Sequence, residues 1–200
     1  MAITKLMGRW DTAGIEVKDP GLKAYINLRP VMVPRSSGRQ ASKQFHKSNL
    51  TIVERLMNHL FVPGHRGKKH IRSSGRMGGK SSTAWKLTKE TLTLLEKRSK
   101  KNPVEILVHA IENAALREEI TSFQVGGIMA RKAVITAPQR RVDLTLRLIV
   151  QSAFQKSSNK KKTMAEALAD EITACYNYDS ANSTAIKEKE RIEREAAGAR

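Results

Sequence analysis

Apolar residues recur at helical spacing in five separate stretches of this chain, and each stretch is closed by a breaker or a polar run before the next begins. A helix with one apolar stripe must bury it against other elements, so this pattern predicts a packed, mainly α-helical domain. The first stripe is Ile52, Val53, Leu56, Met57, Leu60 and Phe61, stopped by Pro63-Gly64. The second is Ala84, Leu87, Thr91, Leu94 and Leu95, running out in KRSKK, whose charges suit the negative end of a helix. The third has the sharpest start: Asn102 as N-cap, Pro103 at the first helical position and Glu105 three residues past the cap. It presents Val104, Leu107, Val108, Ile111, Ala114 and Ala115 to a core.

Pro138 opens the fourth helix, with Val142, Leu146, Ile149, Val150 and Ala153 inward. Thr163 and Glu166 form the capping box of the fifth, which buries Ala165, Leu168, Ile172, Cys175 and Tyr176. From Ser183 a sixth helix is predicted from opposite charges at i,i+4: Lys189–Glu193, Glu190–Arg194 and Arg191–Glu195. With almost no apolar stripe beyond Ile186 and Ile192, it reads as a solvated or partner-docked helix.

The helical period fails between about residues 119 and 137. Val125-Gly126-Gly127-Ile128 stands between β-rich arms, a hairpin signal. Arg131 and Lys132 are adjacent, so they point to opposite faces of a strand, and the hairpin should project from the helices. Residues 1–47 show no sustained period and are interrupted by Pro20, Pro30 and Pro34. They are read as an extended basic arm with few apolar anchors, and 48–200 as a single helical domain, a division that suits 200 residues.

Charge identifies the kind of partner. Lys and Arg number 37 against 19 Asp and Glu, a formal net charge of +18. The excess lies in two zones. Residues 34–80 hold eleven basic residues and one acid, Glu54; residues 126–162 hold nine and one acid, Asp143. Unmatched like charges repel, so such zones imply a polyanion. Trp10 and Trp85 lie outside both zones, which disfavours an anionic membrane surface. Aromatic residues make up only 4%, which disfavours base-stacking single-strand binders and favours structured RNA or duplex DNA. Arg140 and Arg141 sit at the positive end of the fourth helix, a conflict that a phosphate would relieve.

Other classes find little support. A single cysteine, Cys175, allows no intramolecular disulfide and suggests a reducing, intracellular setting. The start lacks the apolar core of a signal peptide, and no apolar run approaches a membrane span. Of His46, His59, His65, His70 and His109, His65 and His70 lie in the basic Gly-rich loop without an acidic neighbour, and His109 falls near the surface of the third helix. In GRMGGKSS (75–82) only three residues separate Gly75 from Gly79-Lys80-Ser81, one too few for a phosphate-binding P-loop. No catalytic centre, metal or cofactor is expected.

Several segments, in order, resemble the universal small-subunit ribosomal protein seven family. SGRQASKQFHKSNLTIVERLMNHL (37–60) is similar to its opening, NPVEILVHAIENAALREE (102–119) to its third helix, and QVGGIMARKAVITAPQRRVD (124–143) to its hairpin and next helix. TMAEALADEITACYN (163–177) and STAIKEKERIER (183–194) are similar to its last two helices, and MGRWDTAGIEVKDPGLKAYINLRPV (7–31) to the arm of the archaeal and eukaryotic branch. The 64–82 loop departs from the pattern in being longer and richer in Gly.

The resemblance implies a non-catalytic, cytoplasmic component of the small ribosomal subunit. It would bind the 3′ major domain of small-subunit ribosomal RNA, nucleate head assembly and touch neighbouring ribosomal proteins. Arg35, Arg39, Lys43, Lys47, Arg55, Arg131, Lys132, Arg140 and Arg141 would face RNA. The basic loops add Arg66, Lys68, Lys69, Arg72, Arg76 and Lys80, and Lys160, Lys161 and Lys162. The hairpin tip, Gln124, Val125, Gly126, Gly127 and Ile128 with Arg131, would approach exit-site tRNA and the mRNA path. The alternative is a sequence-tolerant architectural DNA-binding protein, which charge alone does not separate from the first reading.

Overall fold

A computed structural model describes residues 5–64 and 79–199. Its elements are β1 (Lys5–Leu6), β2 (Trp10–Asp11), α1 (Pro20–Lys23), two 3-10 turns (Arg39–Ser42 and His46–Asn49), α2 (Ile52–Leu60), α3 (Ser81–Ser99), α4 (Pro103–Ala114), β3 (Glu118–Val125), β4 (Ile128–Ile135), α5 (Pro138–Ser157), α6 (Met164–Tyr176) and α7 (Thr184–Ala197). The mainly helical class with one projecting hairpin is as expected. The short α1 brings the helices to seven among the described residues.

α6 lies at the centre, packed on α3, α4, α5 and α7. Leu168, Ile172 and Cys175 on α6 meet Leu107 and Ile111 of α4 and Leu146, Ile149 and Val150 of α5 in one apolar cluster. Burying each such Leu or Ile contributes about 1.5–3 kcal/mol. Burial pushes the Cys175 thiol up to about 12, so it sits in the core as an inert apolar group.

The helix starts follow their sequence signals. Asn102 Oδ1 accepts from Val104 N at 3.1 Å. Thr163 and Glu166 exchange hydrogen bonds of 3.2 and 3.0 Å as a capping box. Thr51 Oγ1 accepts from Glu54 N at 3.3 Å and starts α2.

β3 and β4 pair antiparallel from Glu118↔Ile135 to Val125↔Ile128. Gly126 and Gly127 have φ of 55° and 86°, the two positive values a two-residue hairpin turn demands. The base is tied down by Arg117 N to Glu193 Oε1 at 2.9 Å and Ala133 N to Ala199 O at 3.4 Å, both reaching the α7 end of the chain. The tip stands clear, with Phe123, Ile128 and Met129 exposed.

Two expectations are corrected. α7 is a docked element, not a solvated tail: Ala185, Ile186, Lys189 and Ala196 are buried, and Lys189 Nζ donates to Asn113 O at 2.7 Å. Lys189 therefore turns inward instead of pairing with Glu193, while the Arg191–Glu195 pair does form. The expectation of few apolar anchors across residues 1–47 fails for its first half, because Leu6, Trp10, Leu22 and Ile26 enter the core. They come from two two-residue strands, a one-turn helix and the turn after it, so no period announced them.

Candidate nucleic-acid interface

The second half of the arm differs from the first. From Arg35 to Asn49 no residue is buried. This segment forms a strap of two 3-10 turns, redirected by left-handed Ser37, Gly38 and Phe45. It lies over α2 and α5. At one end Ser36 N donates to Glu54 Oε1 at 2.6 Å. At the other Lys47 Nζ donates to Asp143 Oδ2 at 3.1 Å, and Asn27 Nδ2 donates to Asn49 O at 2.6 Å. Gln40, Lys47, Arg55, Asn58, His59 and Asp143 line a cleft of about 150 Å³ where strap, α2 and α5 meet.

Asp143 is the centre of that junction. Arg55 Nη2 donates to its Oδ1 at 2.9 Å, and His59 Nε2 stands at 3.8 Å. Burial alone would raise the Asp143 carboxyl, but His59, Arg55 and Lys47 outweigh it and hold the group well below the usual carboxylate range.

The Lys47–Asp143 contact brings the strap, from the first cationic zone, against the start of α5, from the second. Arg35, Arg39, Lys43 and Lys47 are exposed on the strap, and Arg140 on the first turn of α5. Arg140, Asp143 and Arg147 fall at i, i+3 and i+7, so they share one stripe of α5. Arg147 is exposed, carries no acidic partner among the described residues, and was missed as a site residue. Its spacing from Arg140 was the available signal.

Two predicted surface cations are corrected. Arg55 is only 1% exposed; its guanidinium also donates to Tyr25 O at 2.8 Å, and its charge is spent on Asp143. Arg141, with a side chain 12% exposed, donates to Leu116 O at 2.8 Å and pairs with Asp19 at 2.7 Å. Burial opposes ionisation of Asp19, but Arg141 and the Gly21 N–H overcome it and lower its pKa. The conflict read at the start of α5 is thus relieved inside the molecule: Arg141 by Asp19, and Arg140 by two hydrogen bonds of 2.7 and 2.8 Å to Glu119. Arg140 nonetheless keeps a side chain 56% exposed.

The remaining cations lie elsewhere. Arg131 and Lys132 are exposed on β4, opposite Ser122 and Thr121. Lys160, Lys161 and Lys162 follow the far end of α5, about 30 Å from its first turn at 1.5 Å per residue. Lys162 shares Asp170 with Arg98. Lys80 is exposed just before α3. Arg66, Lys68, Lys69, Arg72 and Arg76, with His65 and His70, lie outside the described residues. At the tip, Gln124, Gly126, Gly127 and Ile128 are exposed, and Val125 pairs with Ile128.

A cavity of about 940 Å³ opens beside the hairpin base, lined by residues that include Asp19, His109, Glu112, Thr136 and Arg141. Four of its ionisable groups pair with one another: Asp19 with Arg141, and Glu112 with His109 at 2.7 Å, while Glu112 also accepts from Asp19 N at 3.0 Å. No group of three or more His, Cys, Asp or Glu could hold a metal among the described residues. No helix of the described residues is long and apolar enough to cross a membrane.

Fold and surface together define a class: a cationic helical domain that carries a projecting hairpin. Residues 22–200 match the family described as ribosomal protein S7p/S5e. The chain is 47% identical over 196 residues to the small ribosomal subunit protein uS7 of Nanoarchaeum equitans, covering 98% of each chain. It is 42% identical over 197 residues to that of Methanococcus maripaludis strain C6, again 98% of each, and 42% over 196 residues to that of Methanothrix thermoacetophila, 98% of this chain and 100% of the other. The chain therefore belongs to the ribosomal protein S7p/S5e family, structural and non-enzymatic components of the ribosome.

Proposed function

We propose that this protein is a component of the small ribosomal subunit that binds the 3′ major domain of its ribosomal RNA and helps nucleate the head. Its hairpin tip stands near exit-site tRNA and the mRNA path. The observation that carries the reading is the 3.1 Å Lys47–Asp143 contact. It brings the strap cations and the exposed arginines of α5 onto one face, broad enough to follow a folded phosphate backbone. The names of the archaeal relatives support the small subunit as the site of assembly. The bare Gly126-Gly127 tip, flanked by exposed Ile128 and Met129, supports close approach to a neighbouring strand.

The test is to purify the protein from cells at moderate salt and sediment the extract. Co-migration with small subunits is expected. Migration with chromosomal DNA, and no ribosomal association, would favour the architectural DNA-binding alternative.

A further inference from the structure

Each cationic zone contains one acid, and both acids touch the same strap. Glu54 holds one end through Ser36 N, and Asp143 holds the other through Lys47. No residue from Arg35 to Asn49 is buried, so the strap has no apolar anchor. Apart from short-range backbone hydrogen bonds to Val33 and Leu50, its hydrogen bonds to the rest of the chain among the described residues are those to these two carboxylates and Asn27 Nδ2 to Asn49 O. Arg39 and Lys43 lie between the two ends, exposed and without an acidic partner among the described residues.

We infer that Glu54 and Asp143 are positioning residues that pin the strap and present Arg39 and Lys43 as preorganised phosphate contacts. The inference rests on the RNA-binding reading above. An acid inside a phosphate-binding surface repels the ligand. Its presence makes sense where fixing the cations beforehand gains more than the repulsion loses, since a segment left free must be ordered on binding.

The two effects predict opposite results. Glu54→Met and Glu54→Gln both remove one negative charge, and a purely electrostatic surface would bind RNA more tightly with either. The pinning account separates them. Glu54→Gln keeps an oxygen that accepts from Ser36 N–H and should bind like the parent. Glu54→Met keeps length without an acceptor and should bind roughly tenfold more weakly.

The experiment measures affinity of the full chain for a transcript of the 3′ major domain at fixed salt, with melting temperatures alongside. Arg39→Ala/Lys43→Ala is then added to the parent and to Glu54→Met. The pair should cost less affinity in Glu54→Met, because its cations are no longer held in place. This comparison stands even if Glu54→Met lowers stability, since that loss is common to both members. Equal costs in both backgrounds, or tighter binding by Glu54→Met, would overturn the inference. A parent that does not prefer the transcript to duplex DNA would instead remove the RNA-binding reading beneath it.

Discussion

Asp143 and its partners illustrate how single residues divide the work of holding the fold from that of meeting a ligand. Arg55 is enclosed, and its charge is balanced by a carboxylate 88 positions away. Asp143→Ala would leave that guanidinium buried beside Tyr25 O alone, a loss of about 3 kcal/mol, at the low end for a broken buried pair because Asp143 is 24% exposed. Denaturant unfolding measures it directly. Arg140 and Arg141 should behave differently although they are neighbours. Arg141→Ala strands Leu116 O and Asp19 and should cost about 1–3 kcal/mol. Arg140→Ala removes an exposed pair and should change stability by less than about 1 kcal/mol.

Acid should act through the same carboxylates. Asp19, Asp143 and Asp170 are all lowered from an ordinary value of 3.8. A depressed folded value means stability that is fully present above the unfolded value and lost as pH falls through the folded one. Unfolding followed by circular dichroism should therefore show stability falling below about pH 3.8, less steeply in Asp143→Asn than in the parent.

At the scale of elements, the hairpin and α7 form a unit with a fixed base and a free tip. Deleting Gln124 to Met129 spares the hydrogen bonds of Arg117 and Ala133 to the α7 end of the chain and should shift stability by no more than about 0.5 kcal/mol. In assembled ribosomes the same deletion should alter exit-site tRNA retention or reading-frame maintenance; unchanged values of both would remove the tip from the proposed role. Ile186→Ala, by contrast, opens the buried seat of α7 and should cost about 2–5 kcal/mol in thermal unfolding.

The sequence shows some of these elements plainly and hides others for physical reasons. α4, α5 and α6 were legible because their caps and stripes are local: Asn102-Pro103, Pro138 and Thr163–Glu166 mark starts, and the apolar residues behind them keep one face. The docking of α7 was hidden because Ile186 is the one large apolar residue in its contact, the rest being alanines and Lys189, a charged residue whose amine finds a backbone carbonyl across the core. Leu22 and Ile26 were hidden because a one-turn helix and the turn after it are too short to show a period. In the candidate site, Arg39, Lys43 and Arg140 were read as RNA-facing from the basic zones and the family resemblance, and the structure leaves all three exposed. That Arg55 and Arg141 face inward depends on Asp143 and Asp19, 88 and 122 positions away, and local patterning carries no trace of pairs at that separation.

For the whole molecule, the proposed function comes down to one claim: a single face, formed where the strap meets α5, would bind ribosomal RNA through its phosphates. Counterion release gives that claim a number. Log affinity should fall linearly with log salt by ~0.7–0.9 per phosphate neutralised, so contacts from Arg39, Lys43, Lys47, Arg140 and Arg147 give a slope of about −4. The decisive measurement is that slope for the full chain on a transcript of the 3′ major domain, with duplex DNA of equal length as reference. The account predicts tighter binding to the transcript throughout, and a slope flattened by about 1.5 in Arg140→Ala/Arg147→Ala but unchanged in Arg141→Ala. Equal affinity for duplex DNA, or a slope that Arg140→Ala/Arg147→Ala leaves untouched, would contradict it.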